Sequence, residues 1–319
     1  MPRLRQEKSC ILNVAKYLII IVCYKTNNIG DRFMIWILLP AYNEEASLPK
    51  LLPKIEKVMK QHKETYHIVV VDDGSNDQTP NLLQEYARAM PLTVITHSIN
   101  RGLGETERDG FEYITSCAKD SDYIVRLDCD DTHDPEYIFT LINKINEGFD
   151  VVNGSRFQPG GGQIGVSPYR ALVSYSANVF MKVLFNIKGI RDFSCGFRAY
   201  RAQVVKDAIR IFGNGFIQLK GMGFTSTLEM IVKLKLLGCR FAEVPFILRY
   251  DQKASSSKMV TSITTLGYLT MALLYHWPWG GWRQFYKGLA STYSKSPEMA
   301  YSKYSRQNVK RPMICQIGG

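Results

Sequence analysis

Paired cysteines are missing. The seven cysteines (Cys10, Cys23, Cys117, Cys129, Cys195, Cys239 and Cys315) are odd in number, scattered, and never spaced C-x-x-C. This argues against a disulfide framework or a thiolate metal cluster and suits a reducing compartment. Nucleotide fingerprints are missing too. The first strand-like run ends in "PAYNEE" (40–45), which has no glycine, and no G-x-x-x-x-G-K-[ST] occurs. "NRGLGETERDG" (100–110) carries Gly102 and Gly104 but lacks the continuation of a dinucleotide-binding turn. Nicotinamide, flavin and P-loop enzymes are therefore set aside. Long apolar runs are scarce: residues 11–24, "ILNVAKYLIIIVCY", are about 14 long, short of the roughly 20 that span a bilayer. No small-residue cleavage site follows, so a signal peptide is not expected. Residues 1–33 read as an N-terminal extension: an appended helix, an upstream stretch outside the working protein or, less favoured, a membrane anchor. Acidic residues are the minority, 29 against 40 basic, for a net charge of +11. An anionic partner follows, whether nucleic acid, a phosphorylated substrate or an acidic membrane surface.

What is present is a regular alternation. "MIWILLP" (34–40) reads as a strand, 45–61 as a helix, 67–72 as a strand and 77–90 as a helix. Strands over 92–98 and 122–128 flank a helix over 104–119, and a helix over 135–147 precedes a strand over 149–155. Such repeated strand–helix units predict an α/β domain with a mainly parallel sheet and helices on both faces. Ligands of such sheets bind beyond the carboxyl ends of the strands. The domain is expected over 34–260, followed by an apolar segment over 261–283 and a basic polar tail over 284–319. The glycine run of "QPGGGQIG" (158–165) reads as a loop, either a simple surface loop or a lid.

Two acidic strand ends stand out. "IVVVDDGSND" (68–77) delivers Asp72 and Asp73 to the ligand side of the sheet. "VRLDCDDTHDP" (125–135) places Asp128 and Asp130 two apart, and within a strand such residues point the same way. Converging carboxylates repel unless a cation neutralises them, and hard Mg²⁺ or Mn²⁺ favours carboxylate and phosphate oxygens. A solvated acidic turn is the alternative, and for Asp134, before Pro135, a helix cap is preferred. His133 reads as a loop residue and Cys195 as a packed or turn cysteine.

Taken in order, "LPAYNEE", "VVVDDGSND", "NRGLG", "LDCDDTHDP", "NGSRF" and "CGFRAYR" resemble family 2 glycosyltransferases of the GT-A fold. Within these the chain is most similar to dolichyl- or polyprenyl-phosphate sugar synthases, over roughly 34–260. The resemblance implies metal-dependent, inverting transfer from a GDP- or UDP-sugar, with Mg²⁺ or Mn²⁺. It assigns Pro40, Tyr42 and Glu44 to the base and ribose, and Asp72 to a hydrogen bond with the base. Asp73 and Ser75 are read as shaping the turn. Asp128 and Asp130 match the metal and diphosphate ligands, with Thr132 at the next position. Arg156 and Arg170 match phosphate-contacting arginines, for which surface solvation is the rival reading. Arg249 and Lys258 match a late phosphate-binding pair, although the spacing from Arg249 to Lys258 departs from the pattern.

The acceptor follows from the same parts. A lipid phosphate is already ionised and needs no general base, whereas a hydroxyl acceptor needs one. "GFTSTLEM" (223–230) offers the single Glu229 without an adjacent aspartate, which favours a polyprenyl phosphate over a saccharide hydroxyl. Two apolar stretches, 171–187 and 263–279, the second ending among Trp277, Trp279 and Trp282, read either as membrane-interfacial helices or as ordinary packing. The expected state is peripheral at the cytoplasmic face of a membrane. Nucleic acid is not an expected partner, because no array of stacking aromatics accompanies the basic residues.

Overall fold

The computed structural model describes residues 33–254 and 261–305. The expected N-terminal helix, Lys258 and the last part of the basic tail lie outside the described residues.

Short apolar runs become strands, and the amphipathic stretches between them become helices. Strands β1 (Ile35–Ala41), β2 (Tyr66–Asp72), β3 (Leu92–Thr96) and β4 (Tyr123–Arg126) are linked by α1 (Leu48–His62), α2 (Thr79–Ala89) and α3 (Leu103–Cys117). Helix α4 (Tyr137–Asn146) leads into β5 (Val151–Ser155), then β6 (Gly162–Ile164), α5 (Pro168–Phe185), β7 (Arg198–Arg201) and α6 (Ala202–Phe212). The chain continues through α7 (Thr225–Leu237), β8 (Phe241–Pro245) and β9 (Ile247–Arg249). Helices α8 (Thr261–His276), α9 (Gly281–Phe285), α10 (Leu289–Lys295) and α11 (Pro297–Tyr304) follow.

Seven strands form one sheet in the order β3-β2-β1-β4-β7-β5-β8. Only β7 is antiparallel to its neighbours, β4 and β5. The two-residue side-chain period divides β1 between two cores. Ile35, Ile37 and Leu39 pack with Leu52 and Ile55 of α1 and Leu141 of α4. Trp36 and Leu38 pack with Phe111 of α3, Phe212 of α6 and Ile231 of α7. Each fully buried aliphatic or aromatic side chain stabilises the fold by about 1.5–3 kcal/mol, so both faces must be covered. The sheet is therefore the expected mainly parallel one with helices on both sides.

Three local expectations are corrected. Strand β4 stops at Arg126, not at Asp128. Its last pairings are Leu38 with Arg126 and Arg126 with Arg198, after which the chain turns away through Asp131 at φ 61°. Part of the glycine run is ordered as β6, which pairs parallel with β9. Residues 284–304, read as the beginning of a tail, join 281–283 in three short helices that bury Trp282, Leu289, Ala300 and Tyr304.

Those helices are fastened by polar contacts the polar composition conceals. Tyr301 Oη donates to Asp207 Oδ1 of α6 at 2.6 Å, and Tyr293 Oη donates to the other oxygen. Lys233 of α7 lies over the Trp282 ring, 3.3 Å from its centroid. A hydrogen bond to a charged group contributes about 1.5–3 kcal/mol, and a buried tyrosine hydroxyl needs such a partner. Asp207→Ala is expected to speed amide exchange across 289–304 at least tenfold by this energy, on the order of one or two such bonds. Exchange in β1 and β2 should stay unchanged. Hydrogen-exchange mass spectrometry reads both regions at once.

Candidate functional site

The carboxyl ends of β1, β2, β3 and β4 open into one cavity of about 490 Å³. Pro40, Tyr42 and Glu44 line it from the end of β1. Asp73 enters after β2, Gly102 after β3, and Asp128 and Asp130 after β4. Lys253, four residues beyond the end of β9, closes one side. Parallel strands whose ends line up in this way make the crevice in which α/β ligands bind. Gly104 belongs to the same wall: a Cβ there would lie 2.5 Å from Lys220 Cα, so only glycine lets α3 approach the 219–221 turn.

Asp128 and Asp130 meet the cavity from a loop rather than from a strand. Neither carboxylate stands alone. Arg126 Nη1 donates to Asp128 Oδ1 at 2.5 Å, and Arg126 Nε lies 2.9 Å from Glu107 Oε1. Arg126 and Glu107 are almost completely buried, and Ser226 Oγ donates to the second oxygen of Glu107 at 2.6 Å. Burial pushes the Asp128 carboxyl up, but Arg126 above all, with His133 and Lys253, draws it down to about 2. The guanidinium is packed so closely that a Cβ on Gly196 would fall 1.8 Å from Nη1. This gives the glycine of "CGFR" its physical reason. His133 is buried against Phe197, with ring centroids 5.2 Å apart, and its Nδ1 accepts the Asp128 backbone N–H at 3.0 Å. Asp130 Oδ1 accepts from Thr132 N at 3.2 Å and from its hydroxyl at 2.6 Å, while Oδ2 meets the Lys253 ammonium.

The end of β2 uses its two aspartates differently. Asp72 is fully buried: Oδ1 accepts from Ser75 N at 3.2 Å, and Oδ2 has no hydrogen-bond partner among the described residues. Asp73 is the one that lines the cavity. It accepts from Arg101 N and Gly102 N, each at 2.8 Å, and from His97 Nδ1 at 2.6 Å. His97 Nε2 reaches Asp109 at 3.1 Å. Ser75 Oγ accepts from Asn43 N at 2.8 Å and so ties this turn to the one after β1.

The expected arginines are not gathered at the cavity wall. Arg156 is clamped by buried Asp192 at 2.7 and 2.8 Å and by Ser194 at 2.8 Å. Arg170 stands on the exposed start of α5, where Nη1 donates to Tyr250 Oη at 2.9 Å. Arg249 forms a fork with Asp251 at 3.0 and 2.9 Å. Glu229 is fully buried and accepts from Gln218 N and Leu219 N, each at 2.9 Å, so it holds a turn and does not sit on the helix surface. Burial pushes the Cys195 thiol up to about 12, as befits a packed cysteine.

Asp130 and the second oxygen of Asp128 offer hard oxygen donors at the cavity wall, which fits Mg²⁺ or Mn²⁺, whereas Thr132 is buried, does not line the cavity and spends its hydroxyl on Asp130. Among the described residues no group of three or more His, Cys, Asp or Glu could hold a metal alone. Mg²⁺ ordinarily takes one or two carboxylates and completes its shell with water and substrate phosphate, so an open site of this kind suits it. Sequence reasoning missed Arg126, Glu107, His97 and Lys253. Arg126 and Glu107 carried a signal, since a charge within a buried strand or on a buried helix face requires a partner. Lys253 carried none.

A family model described as "Glycosyl transferase family 2" matches residues 36–208. The polyprenol monophosphomannose synthase of Mycolicibacterium smegmatis is 35% identical over 173 residues, 53% of this chain and 62% of its own. The dolichol-phosphate mannosyltransferase of Pyrococcus furiosus is 33% identical over 66% of this chain and 55% of its own. The chain thus spans less than two thirds of these two relatives. It covers 86% of the undecaprenyl-phosphate mannosyltransferase of Micrococcus luteus, at 30% identity over 70% of this chain. Among solved structures, glucosyl-3-phosphoglycerate synthase from Mycobacterium tuberculosis, bound to Mn²⁺, UDP and phosphoglyceric acid, aligns with a TM-score of 0.51 and 17% identity. That alignment covers 77% of this chain and 78% of the other and speaks to the fold.

The His97 bridge gives the wall of the cavity a pH signature. Burial pushes the imidazole down, yet the hydrogen bonds to Asp109 and Asp73 prevail and raise it to about 9. A histidine raised in this way contributes stability that is complete below its unfolded value near 6.5 and lost as pH rises through about 9. Chemical denaturation from pH 6 to 10 is expected to show falling stability across that window. In His97→Asn the slope should flatten; an unchanged slope would remove His97 as its source.

Proposed function

The chain belongs to glycosyl transferase family 2, and we propose that it moves a sugar from a GDP- or UDP-linked donor to a polyprenyl phosphate, with inversion. One observation carries this reading: the strand-end cavity is walled by Pro40, Tyr42, Glu44, Asp73, Asp128 and Asp130, and its acidic stretch is balanced by two cations. The relatives named for polyprenol, dolichol and undecaprenyl phosphate support the acceptor class.

The chemistry asks little of a base. An acceptor phosphate oxygen attacks the anomeric carbon while the bond from that carbon to the diphosphate breaks. The electron pair then leaves on the nucleoside diphosphate. The phosphate nucleophile is already ionised, and Glu229 is committed to two backbone amides away from the cavity. Mg²⁺ or Mn²⁺, held by Asp130 with Asp128, supplies positive charge to the leaving diphosphate when bound. Arg126 holds Asp128 in place and offsets its charge, and Asp73 fixes the Arg101–Gly102 backbone that borders the donor. Asp72, to which the resemblance assigns the base, is fully buried and is not among the residues that line the cavity; Asp73 holds the wall position after β2.

The expected assay is direct. Purified protein with Mg²⁺ or Mn²⁺, a panel of GDP- and UDP-sugars and a short polyprenyl phosphate should form lipid-linked sugar. Asp130→Ala should lower the rate by at least about a hundredfold, the scale of losing one aligned charge at a leaving group. Transfer to saccharide hydroxyls with none to the lipid would replace this acceptor by the alternative one.

A lipid acceptor also requires access to a membrane. No helix among the described residues is long and apolar enough to cross one. Helices α5 and α8 instead expose large apolar side chains, including Leu172 (63%), Val183 (76%) and Leu273 (60%), with Trp279 (92%) just beyond α8. The carboxyl ends of the two helices meet, where His276 Nε2 bonds Leu184 O at 2.9 Å and Phe185 packs on Tyr275. Exposed Arg170, Lys182 and Lys188 flank the face. Apolar side chains beside cations and tryptophan suit an anionic membrane interface, and we assign peripheral docking to this face. Leu172→Glu with Val183→Glu is expected to weaken sedimentation with anionic phospholipid vesicles by about tenfold or more, given the apolar area involved. Unchanged sedimentation would move the docking face elsewhere.

A further inference from the structure

The two cations on Asp128 and Asp130 differ in kind. Arg126 is fixed: it is 2% exposed, paired with Glu107 as well as Asp128, and hemmed in by the Gly196 backbone. Lys253 is a long flexible side chain on the stretch after the 3-10 turn Tyr250–Gln252, and it faces the cavity. Asp130 Oδ1 is already taken by the Thr132 amide and hydroxyl. A cation arriving from the cavity therefore meets Oδ2, and the Lys253 ammonium is on that oxygen.

We infer that Lys253 is an exchangeable counter-ion of Asp130 and a further catalytic residue, displaced by a divalent cation and transferred to the diphosphate of the donor. The inference rests on the donor-binding reading of the cavity and adds to it a competition and a residue. Its physical basis is charge balance. A divalent cation on Asp130 expels the ammonium from its ion pair, and an ammonium left unpaired in a partly buried site is unfavourable. The diphosphate brings the anionic oxygens that ammonium then meets, so cation and donor favour each other's binding. Arg126 cannot take this part, because its guanidinium is locked between Glu107 and Asp128. Lys253 would thus do from four residues beyond β9 what the sequence pattern assigned to Lys258.

The test begins with Mn²⁺ alone, titrated into the full chain without donor or acceptor and followed by the paramagnetic resonance of the free ion. Lys253→Met is expected to bind Mn²⁺ about tenfold more tightly than the parent, because a competing partly buried ion pair is gone. Lys253→Gln, which keeps a hydrogen-bonding group without the charge, should do the same, and Lys253→Arg should bind like the parent. Asp130→Asn should abolish the binding. Equal or weaker Mn²⁺ binding in both uncharged variants, or none in any protein, overturns the counter-ion exchange. A second titration, of UDP and of GDP at saturating Mn²⁺, reads the diphosphate contact. There Lys253→Met should lose about tenfold in affinity, the scale of one charge-assisted contact, and an unchanged affinity overturns that contact. Failure of both nucleotides to bind the parent protein would sink the donor reading, whatever the first titration showed.

Discussion

Like charge at the end of a strand is the constraint around which the site is built. Asp128 and Asp130 sit two residues apart beside a cavity, where carboxylates repel and water screens them poorly. The fold answers with a buried relay: Ser226 bonds Glu107, Glu107 pairs with Arg126, and Arg126 holds Asp128 at 2.5 Å. Such a relay is costly to break, since removing one member leaves an uncompensated charge worth about 3–5 kcal/mol. It also couples distant elements, because Glu107 lies on α3, Ser226 on α7 and Arg126 on the central strand β4. Packing of two helices against the sheet and placement of the first aspartate are thus one event.

The second wall of the cavity follows the same logic. Asp73 spends its oxygens on three partners, the Arg101 and Gly102 amides and His97. His97 in turn reaches Asp109 on α3. Helix α3 therefore serves both walls, through Glu107 towards β4 and Asp109 towards β2. Gly104 and Gly110 let it lie close: a Cβ on Gly110 would come 2.3 Å from a Leu38 methyl. A rigid α3 holds the acidic groups still, whereas Lys253 approaches them from an irregular stretch. That contrast between fixed and movable cations separates the part of the site that positions from the part that responds.

The proposed membrane face places a different demand on the sequence. The large apolar side chains that α5 and α8 expose suit the lipid acceptor proposed above. The short helices at 281–304 lie against α6 and α7 through Trp282, Tyr293 and Tyr301, so residues that read as a solvated tail are instead part of the folded body.

Much was legible before any coordinates. The short apolar runs of β1 and β2, the helices between the strands and the acidic residues that follow the strands all express local rules, since they depend on neighbours in the chain. Asp128 and Asp130 follow from their place after a strand, whereas Pro40, Tyr42 and Glu44 came only with the family resemblance. Residues 284–304 misled for the converse reason: their tyrosines look solvated until Asp207, far away in sequence, supplies the partner of Tyr293 and Tyr301. The same holds for one of the cations. Lys253 and Asp130 lie more than a hundred residues apart, and no local pattern encodes that pairing, whereas Arg126 meets Asp128 only two residues on. The sequence by itself determined the sheet, its ligand edge and the acidic residues there; only the tertiary structure decided which charges neutralise them, because Coulomb interactions act through space and not along the chain.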